Sequence, residues 1–88
     1  MKMENNTLAG TIVKTEIVRK ALPYSSIYTI TVITIKGTID VKIIDTEINL
    51  YKMFGIRFKG EECNLPDYDG RHCVLFKSGH KYFFNHFN

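Results

Sequence analysis

The sequence predicts a small, mainly β domain with one short helix. Three observations predict it. Runs of Ile, Val and Thr with stretches of two-residue alternation recur from residue 7 to residue 44. The apolar period changes once, over residues 45–55, to the three- and four-residue spacing of a helix. The chain has 88 residues, enough for one core but too few for two domains that each support themselves.

Residues 1–6 are polar, read as a flexible tail, and lack the apolar core of a signal peptide. Residues 7–20, TLAGTIVKTEIVRK, form a long first strand whose parity changes partway. Leu8, Gly10 and Ile12 share one face, then Val13, Thr15 and Ile17 share the other, as a bulge or a strong coil would produce, with Gly10 permitting a close bend. Pro23 and two serines mark a loop over residues 21–26. Residues 27–35, IYTITVITI, are apolar on both parities, so this strand is expected to be central and covered on both faces. Lys36-Gly37 is expected to turn the chain into residues 38–44, where Ile39, Val41 and Ile43 alternate with Asp40 and Lys42.

A helix is predicted over about residues 46–54. Asp45 or Thr46 can cap it, Glu47 suits its first turn, Ile48, Leu50, Tyr51, Met53 and Phe54 supply an apolar stripe, and Gly55 ends it. Residues 56–59 alternate as a short strand, and residues 60–70, GEECNLPDYDG, read as loop. Residues 72–77 and 80–87 form a second hairpin closed at Ser78-Gly79. The order β-β-β-α-β-β, with a curved first strand and a long loop before the last hairpin, resembles the OB-fold, a five-stranded, partly open barrel. The resemblance is one of element order over nearly the whole chain, and no family motif accompanies it. An SH3-like barrel, or an α+β sheet with one helix, fits nearly the same string.

At 44% hydrophobic and 24% charged, the composition excludes a disordered chain. No apolar run approaches the roughly 18–20 residues of a membrane span, so a cytoplasmic protein without a membrane partner is expected. Ile, Lys, Asn, Phe and Tyr make up 37 of 88 residues, and Gln is absent; this codon usage points to an A/T-rich genome such as a low-GC bacterium, its phages or its plasmids. Cys63 and Cys73 are too few for a disulfide scaffold.

Function is read from charge and rings. With 12 Lys+Arg against 9 Asp+Glu, the chain is mildly basic at +3. Single-stranded DNA or RNA is the leading expected partner, because an OB-type surface joins a cationic groove to aromatic stacking platforms. The candidate cations are Lys14, Arg19 and Lys20 on the first strand, Lys36 and Lys42 on the central hairpin, and Arg71, Lys77 and Lys81 near the end. Tyr28 and Tyr82 are the principal candidate platforms, with Tyr24 and Phe83 beside them. Alternation on the last strand puts Tyr82, Phe84 and His86 on one face and Lys81, Phe83 and Phe87 on the other. Against this stands the tendency of rings in a Trp-free β domain to form its core.

Three other chemistries fit less well. Cys63, Cys73, His80 and His86 have donor types that suit zinc, but nine residues separate the cysteines and the two histidines would lie about 20 Å apart on an extended strand, so no metal or cofactor is expected. His72, His80, Lys81 and His86 offer acid and base groups, yet no nucleophile motif, phosphate loop or carboxylate pair accompanies them. Asp67-Tyr68-Asp69-Gly70 resembles part of a calcium loop but lacks its closing Glu, and reads as a turn. A binding module is therefore expected rather than an enzyme. The alternative is a phage- or plasmid-encoded inhibitor of a host nuclease or defence protein, with Glu61, Glu62, Asp67 and Asp69 facing a basic channel. Open strand edges also leave β-augmentation and a homodimer available.

Overall fold

A computed structural model describes residues 6–19, 25–60 and 62–88. Its elements are β1 (Thr7–Arg19), β2 (Ser25–Thr34), β3 (Gly37–Thr46), α1 (Glu47–Phe54), β4 (Arg57–Lys59), β5 (Glu62–Asn64), β6 (His72–Ser78) and β7 (Lys81–Phe87). Five strands form one antiparallel sheet in the order β3-β2-β1-β6-β7, and β4 and β5 form a separate two-stranded hairpin. The class is thus mainly β with one short helix, as the pattern predicts.

β1 is the spine of the sheet. Its first half, Thr7 to Thr11, pairs with β6, and from Gly10 onward it pairs with β2. The register slips between Ile12 and Lys14, so Val13 is the extra residue of a bulge. That slip turns Ile12 inward before it and Thr15 and Ile17 inward after it, which explains the parity change in the sequence. Gly10 supplies the close bend. A Cβ at this position would run into Val32 Cγ1 and lie 2.8 Å from the Ile33 carbonyl oxygen and 2.9 Å from Thr34 Cγ2. Only a residue without a side chain lets β2 cross β1 there.

β2 and β3 pair along their full length. On the inner face Tyr28, Ile30 and Val32 are fully buried, joined by Val41 and the half-buried Ile39 and Ile43 of β3. The other face of β2 is partly covered, so the double-faced apolar run describes a central strand. The turn itself falls one residue earlier than expected, at Ile35-Lys36, with Gly37 already paired to Thr34. The last hairpin turns one residue later, at Gly79-His80, with Ser78 opposite Lys81.

α1 follows its signals closely. The Thr46 hydroxyl accepts the Asn49 N–H at 3.2 Å, and Gly55 at φ 72° donates its N–H to the Tyr51 carbonyl at 2.8 Å. The apolar stripe is narrower than the sequence predicts. Leu50 and Phe54 are buried, whereas Ile48, Tyr51 and Met53 are exposed, because an eight-residue helix lying on a sheet presents little more than one i, i+4 row to it.

The structure corrects the sequence at four further places. Residues 62–64 were expected as loop and form β5, a strand too short to show alternation. Asn6 was expected in the tail, yet its carbonyl accepts the Lys77 N–H at 2.9 Å; residues 1–5 lie outside the described residues. On β7 the register slips at Asn85, so Phe87 turns inward with Tyr82 and Phe84 while His86 turns outward opposite Val74. Simple alternation had exchanged these two side chains.

The fourth correction concerns closure. β3 and β7 both run parallel to β1 at opposite edges, and they approach within 8 Å between Cα atoms without pairing. The sheet is therefore curved but not closed into a barrel. Phe54 sits beneath this seam, its ring centroid 4.9 Å from Tyr28, 5.0 Å from Phe84 and 6.0 Å from Phe87. Tyr68 completes the cluster, donating its hydroxyl to the Phe54 carbonyl at 2.7 Å. The Asp67 side chain accepts the Asp69 N–H at 3.0 Å, which makes the Asp67–Gly70 stretch a turn.

Gly10→Ala is expected to destabilise the fold by about 1–3 kcal/mol through overpacking against β2. Urea unfolding would show it as a lower midpoint at unchanged slope. A variant with the wild-type midpoint would mean that β1 and β2 separate easily at the bend.

Candidate nucleic-acid interface

The cations selected in the sequence fall into separate groups. Lys14 is exposed on the outer face of β1 and lies 3.7 Å from Glu16, so its charge is partly matched within its own strand. Lys36 is exposed at the β2–β3 turn. Arg19 ends β1 opposite Ser26, with its side chain outside the description, and Lys20 and Tyr24 lie outside the described residues. Lys14 and Lys36 are not brought to the last hairpin.

Tyr28 is not a platform. It is fully buried on the inner face of β2 against Phe54. Sequence alone left both parities of β2 apolar, so nothing there separated the inner set from the outer. Burial pushes the Tyr28 hydroxyl up from 10.0 to about 12, with Thr15 beside it offsetting part of the effect and Tyr68 and Cys63 adding to it. Thr15 does not reach hydrogen-bond geometry, and the Tyr28 hydroxyl has no hydrogen-bond partner among the described residues. Cys73 is likewise core, its thiol raised above its ordinary value by burial, and neither it nor Cys63 forms a disulfide.

The remaining candidates converge on β7 and the seam. A groove of about 1040 Å³ runs between the β3 and β7 edges. Its floor is apolar, from Ile43, Phe54, Tyr82 and Phe84, and Lys42, His80, Lys81 and Phe83 stand along it. Asp40 is the carboxylate in this lining, and its side chain accepts the Thr31 hydroxyl at 2.8 Å. Lys77 Nζ lies 5.8 Å from the centre of the half-buried Tyr82 ring, and the Arg71 guanidinium 4.4 Å above Phe87. Both aromatic faces thus already hold a cation.

The outer face of the hairpin joins Phe83, a candidate from the sequence, to Phe76, which the sequence does not single out. Phe76 and Phe83 stand directly opposite one another, 42% and 46% exposed, with Lys81 on the same face of β7 as Phe83. A signal for them was present in the charge pattern. Residues 71–88 hold Arg71, Lys77, Lys81 and all three histidines with no carboxylate, whereas the first 70 residues balance nine cations against nine carboxylates. The whole net charge of +3 therefore belongs to the last hairpin and its approach.

Compared with known proteins, the chain matches no protein family, no curated protein and no solved structure. Among the described residues no group of three or more His, Cys, Asp and Glu side chains is placed to hold a metal ion, and no helix is long and apolar enough to cross a membrane. His72 instead meets Thr11, Nδ1 to Oγ1 at 3.2 Å across the β1–β6 pair.

The unpartnered Tyr28 hydroxyl gives a signed expectation. Between pH 10 and about 12 the unfolded chain has released this proton while the folded chain keeps it, so stability falls as pH rises through that window. A rise from 10.0 to about 12 corresponds to about 2.7 kcal/mol at its full extent. Tyr28→Phe is expected to remove this component of the alkaline slope in urea unfolding, and at neutral pH to match or exceed the wild type by up to about 1 kcal/mol. An unchanged alkaline slope would show that the hydroxyl is solvated.

Proposed function

We propose that the protein is a binding module for single-stranded nucleic acid, DNA or RNA, and that the strand lies along β7. The observation that carries this reading is the cationic, carboxylate-free last hairpin with Phe76 and Phe83 exposed beside Lys81. Backbone phosphates would meet Lys77, Lys81 and, across the groove, Lys42, with release of their counter-ions. Bases would stack on Phe83 and Phe76, each stacked base contributing about 1–3 kcal/mol. Phenylalanine faces accept any base, so the expected preference is for single strands over duplex rather than for a sequence. No catalytic step belongs to this reading, and its place of action is the cytoplasm.

The experiment is fluorescence anisotropy with a labelled oligo-dT at two salt concentrations. Binding is expected to weaken with salt, with a logarithmic slope of about −2 for three phosphate contacts on a single strand. Phe83→Ala is expected to weaken binding by about 5- to 100-fold with little change in that slope. Lys81→Gln is expected to reduce the slope by about 0.7. Absence of binding at low salt, or binding indifferent to Phe83, would overturn the proposal.

A further inference from the structure

The outer face of β1, β2 and β3 carries a charge pattern of which the nucleic-acid reading uses Lys42 alone. Registers across the three strands set its residues in rows. Val18, Ile27 and Ile44 form the first, Glu16, Thr29 and Lys42 the second, Lys14, Thr31 and Asp40 the third, and Thr11, Ile33 and Thr38 the fourth. β1 and β3 therefore each alternate in sign, and in each charged row these two flanking strands carry opposite charges with a threonine of β2 between them. The apolar row is open to solvent: Val18 is 52% and Ile44 61% exposed. Ile33 in the fourth row is also exposed. Apart from the four charged residues, every side chain on this face is β-branched, which makes a flat surface suited to packing against another sheet.

Such a face is complementary to itself. A two-fold axis along β2 lays β1 of one copy over β3 of the other while keeping each row at its own level. Glu16 then meets Lys42 of the second copy, Lys14 meets its Asp40, and the apolar row lies on its own counterpart. A two-fold axis across the strands also pairs opposite charges, but it sets Val18 and Ile44 against Thr11 and Thr38 and leaves the apolar row half matched. We infer that this face binds a second copy of the chain, sheet to sheet, about a two-fold axis parallel to β2. The part of β1 beyond Thr11 pairs with β2 and not with β6, so of the last hairpin only His72, opposite Thr11, borders the contact. With strands about 4.8 Å apart and rows about 6.8 Å apart, three strands and four rows cover about 400 Å² per copy, below the usual size of stable interfaces, so the dimer is expected to be weak, at roughly tens to hundreds of micromolar.

Sedimentation equilibrium over about a hundredfold range of concentration tests this by mass action. The wild type is expected to pass from monomer to dimer across the range. Lys14→Glu sets a carboxylate over the partner's Asp40, and Asp40→Lys sets an ammonium over its Lys14, so each variant alone is expected to lose at least about tenfold in dimer affinity. An equimolar mixture of the two variants restores every opposite-charge pair for the axis along β2, and leaves two like-charge pairs for an axis across the strands. Recovery of wild-type dimer affinity in the mixture, with far-UV circular dichroism showing each variant folded alone, is the expected result. A wild type that is monomeric throughout, single variants that dimerise like the wild type, or a mixture that stays monomeric would each overturn the inference.

Discussion

Phe54 is the side chain on which the two halves of the sheet meet. Its ring touches Tyr28 from β2 and Phe84 and Phe87 from β7, and its carbonyl takes the hydroxyl of Tyr68. The sheet edges at β3 and β7 are not tied by a ladder, so this aromatic cluster does the work that backbone pairing does in a closed barrel. The helix has to stop where it does for the same reason. Gly55 turns the chain immediately after Phe54, and Ile56, fully buried, goes straight back into the core. A helix one turn longer would carry Phe54 into its middle and direct the following chain away from the seam.

An open seam also explains the distribution of side chains around it. The inward rings of β7 are shared between the core and a groove, so Tyr82 and Phe84 are half-buried rather than lost to either. Cations stand over aromatic faces here instead of facing carboxylates, as Arg71 does over Phe87 and Lys77 over Tyr82. Guanidinium and ammonium groups held this way keep their charge available to an incoming anion, whereas a salt bridge would already have spent it. The outer face of β1–β3 is built on the other principle, with Lys14 beside Glu16 and Asp40 bonded to Thr31.

Much of the fold was legible because its signals are local. The Thr46 cap, the Gly55 stop, the β1 bulge and the alternation of β3 are each written within a few residues, and each stands in the structure where it was read. What escaped is non-local or too short. Nothing in IYTITVITI distinguishes Tyr28 from Ile27 as the inward residue, because that choice is made by β1, β3 and Phe54 together. The Asn85 slip has no glycine or proline to announce it, and it alone decides that Phe87 rather than His86 is core. Three-residue strands such as β5 carry no period at all. For the candidate site, Lys77, Lys81 and Tyr82 were found from type and position, and Phe76 was missed because a phenylalanine between Leu75 and Lys77 looks like core until its register with Phe83 is known.

The bulge at Val13 has a consequence for how this chain tolerates change. Strand residues are usually defined by their side chains, yet Val13 is 39% exposed and its own packing matters little. What matters is that it is left out of the pairing. With it, the alternation of β1 is reset so that Thr15 and Ile17 point inward and Lys14 and Glu16 reach water. Were it paired as an ordinary strand residue, alternation would run on unbroken from Ile12 and drive Lys14 and Glu16 into an apolar interior, where two charges meet no matching groups. Position 13 is thus a spacer: its identity is free to drift, and a single-codon deletion there would leave Ile12 and Lys14 in regular alternation, with Thr15 and Ile17 still inward.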